Sequence, residues 1–188
     1  SSCSPDFGIQ GVVDRFKQIE PKILITSDCY FYNGKKIYIL DKVNNILNQI
    51  PSLKKTIVFK YNKNENAEIN TFINFDEVIN NSELDETFER FEFNHPIYIL
   101  YSSGTTGKPK CIVHGAGNVL IEHNKEFMLH CDIKNNEKLF YYTTTGWMMW
   151  NWLVGGLATG SSIFLFDGAP TYPKIDILLE YCQNKKIN

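Results

Sequence analysis

A short run rich in glycine and hydroxyl side chains is the part of the sequence best suited to chemistry. It reads YILYSSGTTGKPK and begins at Tyr98. Gly104 and Gly107 allow backbone angles that other residues avoid, so that successive N–H groups can converge on one anion. Four hydroxyl and two ammonium groups would surround that anion, from Ser102, Ser103, Thr105, Thr106, Lys108 and Lys110. We therefore predict a binding loop for nucleotide polyphosphate.

This loop differs from the common nucleotide-binding motifs. Five residues after Gly104 the chain has Pro109, where a Walker A loop needs the glycine of Gly-Lys-Ser/Thr. The alternative is a hairpin turn that is merely rich in serine, threonine and glycine. The two lysines and the apolar strand-like run on each side favour phosphate binding.

A second run, TTTGWMMWNW at 143–152, places large apolar side chains close together. Trp147, Met148 and Met149 could line an irregular apolar pocket, because methionine adapts to such spaces. Taken alone, methionine and tryptophan at helical spacing more often form a core. The four histidines and five cysteines show neither metal-ligand spacing nor a CxxC pair, so we predict no metal site and no disulfide scaffold.

The elements that must position these residues alternate in type. Short runs rich in Ile, Val, Phe and Tyr predict strands at 22–26, 56–60, 97–101, 111–115, 138–142 and 161–167. Helical patterns fall at 9–19, 36–49, 117–131, 149–159 and 174–184. This alternation predicts an α/β fold with a largely parallel sheet.

Composition narrows the class of protein. The 188 residues are 43% hydrophobic, which suits one globular domain or part of a larger one. The net charge of −2 gives no electrostatic footprint for nucleic acid. Scattered cysteines indicate reduced thiols, and we expect a cytoplasmic protein.

Two stretches need separate interpretation. Residues 61–95 hold nine acidic side chains against two basic ones, which predicts a surface excursion, with an acidic docking face as the alternative. Residues 139–166 carry no charge and are long enough to cross a bilayer. Their glycines, threonines and serines instead predict a strand, a buried helix and a second strand, so we expect no membrane span.

The motifs together resemble those of the adenylate-forming superfamily, which includes acyl-CoA synthetases, luciferases and peptide-synthetase adenylation domains. YSSGTTGKPK is similar to its phosphate-loop signature. SCSPDFG, CIVHGAG, LHCDI and the run from LFYYTTTGWMMWNW to FDGAP narrow the resemblance to the acetoacetate-activating CoA ligases. It extends over nearly the whole chain and is weakest at 60–92.

The resemblance implies an activity and a set of small-molecule partners. The carboxylate of acetoacetate would attack the α-phosphate of ATP, with Mg²⁺ as cofactor, and CoA would then displace AMP. Residues 102–108 and Lys110 would bind the phosphates. Trp147, Met148 and Met149 would lie at the acyl group, because their motif matches the one beside the acyl-adenylate in the family.

Family members are much longer than this chain. The resemblance implies an internal piece of the large N-terminal domain, with the C-terminal domain absent. We therefore expect the 188 residues alone to be inactive and assign no catalytic residue. The alternatives are a synthetase for another short acid, a phosphotransferase and a non-catalytic nucleotide-binding module.

Overall fold

Two structural units share the chain, and each interleaves short strands with helices. The computed structural model describes residues 1–61, 72–80, 87–102 and 107–187. The loop unit comprises Pro5–Glu89 and Tyr101–Cys111, and it contains the predicted phosphate loop. The carboxy-terminal unit comprises Ser1–Ser4, Arg90–Leu100 and Ile112–Asn188.

The loop unit is built around a small parallel sheet. Its elements are α1 (Ile9–Phe16), β1 (Ile23–Ser27), β2 (Cys29–Tyr32), β3 (Lys35–Tyr38), α2 (Leu40–Leu47), β4 (Lys55–Phe59), β5 (Ile73–Asn74) and α3 (Phe75–Asn80). The strand order β1-β4-β5 is parallel throughout, with Ile25 opposite Ile57 and Ile57 opposite Ile73. Val58 of the central strand is fully buried, as expected for a strand covered on both faces.

Helices α1 and α2 complete this core with amphipathic faces. The helices bury Val12, Val13, Phe16, Val43 and Ile46. Removing these side chains from water is the main favourable contribution to the stability of the unit.

One predicted helix begins later than the pattern indicated. The helix expected at 36–49 is preceded by an antiparallel hairpin, in which β2 and β3 pair with Tyr32 opposite Lys35. Asn33 and Gly34 form its two-residue turn with positive φ angles of 49° and 71°. Asn-Gly favours this turn because both residues tolerate positive φ, so the hairpin takes the first residues of the predicted helix.

The carboxy-terminal unit follows the strand–helix alternation of the sequence. Its elements are β6 (Pro96–Tyr101), β7 (Cys111–Gly115), α4 (Ala116–Lys125), β8 (Lys138–Phe140), α5 (Met148–Gly155), β9 (Ser162–Phe164) and α6 (Ile177–Lys185). The last residue of β6, Tyr101, and the first residue of β7, Cys111, belong to the loop unit. Strand β6 pairs with β7, and β8 runs parallel to β9 with α5 in the connection. Phe127 and Leu153 are its most deeply buried side chains.

The uncharged run at 139–166 forms the predicted strand, helix and strand, namely the end of β8, α5 and β9. In the part of the chain that the structure describes, no helix has the length and apolar character needed to cross a membrane. Strand β5 and helix α3 lie within the acidic stretch at 61–95. Its residues 62–71 and 81–86 are outside the described residues.

Candidate functional site

Two hydrogen bonds join the ends of the predicted phosphate loop. The N–H of Ser102 donates to the carbonyl oxygen of Lys110 at 3.0 Å, and the N–H of Lys110 donates to Ser102 Oγ at 3.3 Å. These bonds continue from the strand pair β6–β7. Ser103, Gly104, Thr105 and Thr106 were also predicted here and lie outside the described residues.

Gly107 has a backbone angle that accounts for its residue type. Its φ is +156°, in a region that residues with a side chain rarely adopt. A Cβ built at this position would have no atom within 4 Å, so the backbone angle and not crowding restricts the position to glycine.

Helix α1 and the residues that follow it contact the loop exit. Asp14 Oδ1 lies 3.4 Å from Lys108 Nζ, and Gln18 Nε2 donates to the carbonyl oxygen of Pro109 at 2.8 Å. The side chain of Lys108 is 77% exposed, and Lys110 is exposed as well. Two ammonium groups beside the loop are therefore accessible to an anion, while its exit is fixed through Pro109. Sequence reasoning missed Asp14 and Gln18, because no local pattern reports a contact made about ninety residues away.

The carboxy-terminal unit contains a cavity of about 250 Å³. Strands β6 and β7 and helices α4 and α5 contribute its lining, which consists of Tyr98, Leu100, His114, Asn118, Val119, Glu122, His123, Met148 and Asn151. Most of the cavity surface is apolar, with a few polar groups at defined places. Such a lining is typical of a small-molecule site.

The three predicted acyl-pocket residues differ in exposure and in whether they line the cavity. Trp147 precedes the helix with extended backbone angles and is 61% exposed, whereas Met148 is 56% exposed and Met149 is half-buried. Of these three described residues, Met148 is the one that lines the cavity.

Close packing of α4 against α5 depends on a glycine. A Cβ built at Gly155 would overlap the His123 ring at Nδ1. His123 also makes an edge-to-face contact with Phe127, with ring centroids 5.9 Å apart. The missing side chain at Gly155 thus lets the imidazole of His123 enter the cavity wall.

Burial or hydrogen bonding shifts the pKa of three groups that line the cavity. Desolvation lowers the pKa of His123, an effect that the neighbouring His114 reinforces and Glu122 opposes, so the His123 imidazole is neutral at pH 7. Burial raises the pKa of the Tyr98 phenol, which therefore stays protonated. A hydrogen bond from Lys125 lowers the pKa of Glu122 and keeps its carboxylate ionised.

One polar side-chain atom at the cavity lacks a hydrogen-bond partner among the described residues. The side-chain nitrogen Nδ2 of Asn151 is buried and has no hydrogen-bond partner among the described residues. Sequence reasoning did not select Asn151, because an asparagine within an apolar helix carries no signal of what its amide contacts.

Comparisons with known proteins show that the chain is similar to AMP-binding enzymes and to CoA synthetases. The family model described as AMP-binding enzyme matches residues 1–188. An acetoacetyl-CoA synthetase of Gallus gallus is 46% identical over 95% of this chain, and a malonamoyl-CoA synthetase of Penicillium aethiopicum is 42% identical over 92%.

The fold of the chain is also similar to that of a solved structure. The acetoacetyl-CoA synthetase of Streptomyces lividans covers 100% of this chain with a TM-score of 0.92 and 40% identity. The chain spans 28% of the length of the Gallus gallus and Streptomyces lividans proteins and 25% of the Penicillium protein.

Proposed function

The chain belongs to the AMP-binding enzyme family, and we propose that its protein is an acetoacetate–CoA ligase. In the first step a carboxylate oxygen of acetoacetate attacks the α-phosphorus of ATP, and the bond to pyrophosphate breaks. In the second step the CoA sulfur attacks the acyl carbonyl carbon, loses its proton and displaces AMP. The observation that carries the proposal is 46% identity to an acetoacetyl-CoA synthetase over 95% of the chain.

The loop unit supplies the groups for the leaving phosphates. Negative charge grows on pyrophosphate as it departs, and oriented N–H and ammonium groups stabilise such charge. We assign this role to Ser102, Gly107, Lys108 and Lys110, together with the intervening residues 103–106. Exposure of both lysines supports the assignment, because their ammonium groups can reach an incoming nucleotide.

The cavity of the carboxy-terminal unit supplies the acid-binding surface. Met148 places a flexible thioether in its wall, which suits the short, irregular acetoacetate chain. We assign Trp147 and Met149 to the same acyl-binding motif on the family resemblance. Neutral His123 and Tyr98 leave most of the wall without formal charge, which suits the uncharged end of the acid.

The family resemblance also implies Mg²⁺. Within the described ranges no three His, Cys, Asp or Glu side chains form a metal-binding group. We therefore assign none of the described residues to the ion.

A second acid is supported by one comparison. The Penicillium aethiopicum relative is a malonamoyl-CoA synthetase, and its 42% identity is close to that of the acetoacetyl-CoA synthetase. Malonamate and acetoacetate share a short chain with a carbonyl at C3. Either acid would therefore present the same C3 carbonyl group to the complete gene product.

Acid-dependent ATP–pyrophosphate exchange tests the proposal on the complete gene product. We expect kcat/KM to be highest with acetoacetate, lower with malonamate and lowest with acetate and butyrate. Preference for malonamate would transfer the assignment to the second acid. Exchange that is fastest with acetate, or absent with every acid, would contradict the proposed function.

A further inference from the structure

An amide group in the wall of the cavity has a hydrogen bond left to make. Nδ2 of Asn151 is buried and unpartnered among the described residues, and Asn151 lines the cavity. A buried donor without an acceptor loses its bonds to water and gains nothing in return. Such groups are uncommon in folded proteins, and a ligand that supplies the acceptor would remove the cost.

The position of Asn151 connects it to the acid-binding surface. It lies three residues after Met148 on α5, and residues at this spacing share a helix face. Both side chains line the same cavity. The acceptor for Nδ2 would therefore belong to a molecule that also contacts Met148.

Two other polar side chains at the cavity, Asn118 and Glu122, are less suited to this role. Asn118 is exposed, so water can satisfy its amide. The carboxylate of Glu122 is ionised and already accepts a hydrogen bond from Lys125. Leu100, Val119 and Met148 supply apolar surface, so the wall around the Asn151 amide suits a short chain that carries a carbonyl acceptor.

We infer that Asn151 donates a hydrogen bond from Nδ2 to the C3 carbonyl oxygen of the acid. The inference rests on the proposed function and deepens it, because it names the group that distinguishes a 3-oxo acid from an alkanoic acid of equal length. A site with a buried donor rejects an analogue that lacks the acceptor, since the donor then stays unpaired. Asn151 is thus a specificity-determining residue and takes no part in the bonds that form or break.

Replacement of Asn151 by leucine gives the sharpest test. Asn151→Leu keeps the number and branching of the side-chain heavy atoms and removes the donor. On the complete gene product we measure kcat/KM for acetoacetate and for butyrate, together with the melting temperature. We expect the acetoacetate-to-butyrate ratio to fall about tenfold or more, and the melting temperature to hold or rise because an unpaired buried group is gone.

A matched control makes the same chemical change outside the cavity. Asn124 of α4 donates Nδ2 to the carbonyl oxygen of Leu120 at 2.8 Å and does not contribute to the cavity lining. Asn124→Leu should leave the ratio of the two acids within about twofold of wild type. Asn151→Asp serves as a second variant if the leucine variant does not fold, because it keeps the shape, lacks the amide donor and should also lower the ratio.

Three results would overturn the inference. An unchanged acid ratio in a folded Asn151 variant would exclude the hydrogen bond to C3. An equal loss for both acids with a lower melting temperature would assign Asn151 a structural role. A wild-type protein that does not use acetoacetate or malonamate would instead contradict the proposed function itself, before any variant is compared, and the inference would fail with it.

Discussion

The phosphate loop and the acid cavity are built in different ways. The loop collects its predicted binding groups within residues 102–110, and they are backbone N–H groups, hydroxyls and exposed ammonium groups. The cavity collects nine side chains from two strands and two helices between Tyr98 and Asn151. A site that binds the phosphates common to all reactions of a family can be encoded locally, whereas a site that distinguishes one acid from another depends on tertiary packing.

This difference has a kinetic consequence. Under the proposed function the loop acts on a leaving group that is the same for every acid, so a change there should lower the rate with all acids by the same factor. The proposal places the acid in the cavity, so a change there should alter the ranking of acids.

The largest effect is expected at the loop. Lys110→Ala removes a cation from the leaving phosphates and should lower kcat/KM for pyrophosphate exchange by about 10²–10³-fold with every acid. Lys17→Ala is the control, because Lys17 is an exposed lysine at the end of α1. A Lys110→Ala variant with wild-type exchange would remove this lysine from the phosphate site.

The backbone of the loop gives the next effect. Gly107→Ala forces an unfavourable φ that costs about 1–3 kcal/mol, so we expect exchange to fall by about tenfold to a hundredfold, again equally for all acids. Gly8→Ala is a matched control, since its φ of −62° is ordinary and a Cβ there also meets nothing within 4 Å. Equal behaviour of the two variants would show that the angle at Gly107 is unimportant.

The cavity should respond through substrate ranking. Met148→Ala opens space for about two methylenes, each worth about 0.8 kcal/mol, so kcat/KM for a longer 3-oxo acid relative to acetoacetate should rise about tenfold. Met149→Ala should change this ratio less than Met148→Ala does, because Met149 belongs to the proposed acyl-binding motif but lies outside the cavity lining. A reversed order, with Met149 controlling the ranking, would place the acid elsewhere.

The smallest effect concerns pH and stability. The pKa of His123 is lowered by burial, so the unfolded chain binds a proton more readily than the folded chain once the pH falls below about 6.5. The free energy of unfolding should thus decrease as the pH falls from about 6.5 through the folded pKa, with a slope below the single-site limit of about 1.4 kcal/mol per pH unit.

Chemical denaturation of His123→Gln between pH 5 and pH 8 checks this expectation on the complete gene product. The variant should show a shallower decrease than wild type. His130→Gln is the control, because the His130 side chain is exposed and is not desolvated by burial. A steeper decrease in the His123 variant would mean that its protonation stabilises the fold.

The contrast between local encoding and tertiary packing explains which features the sequence could predict. Three features follow from local patterns, and the structure confirms them: the alternation of strands and helices, parallel pairing of strands (seen, for example, between β1 and β4), and the strand–helix–strand run at 139–166. The Asn33-Gly34 hairpin is also encoded locally, but the helical pattern at 36–49 led to the prediction of a helix where its second strand begins.

Other features needed the folded chain. The motif that contains Trp147, Met148 and Met149 can be recognised from sequence, but the rotation of α5 decides which of them lines the cavity. The pairing of Asp14 with Lys108 and the environment of Asn151 Nδ2, which has no hydrogen-bond partner among the described residues, depend on segments brought together by packing. These contacts leave no periodicity in the sequence.

A double variant tests the division between the two regions most directly. We would measure kcat/KM with acetoacetate and a longer 3-oxo acid for Lys110→Ala, Met148→Ala and the variant with both changes. Independent roles predict that the factors multiply to within about twofold and that the double variant ranks the acids as Met148→Ala does. A coupling of more than about tenfold, or a change of ranking caused by Lys110→Ala alone, would contradict the separation of phosphate binding from acid selection.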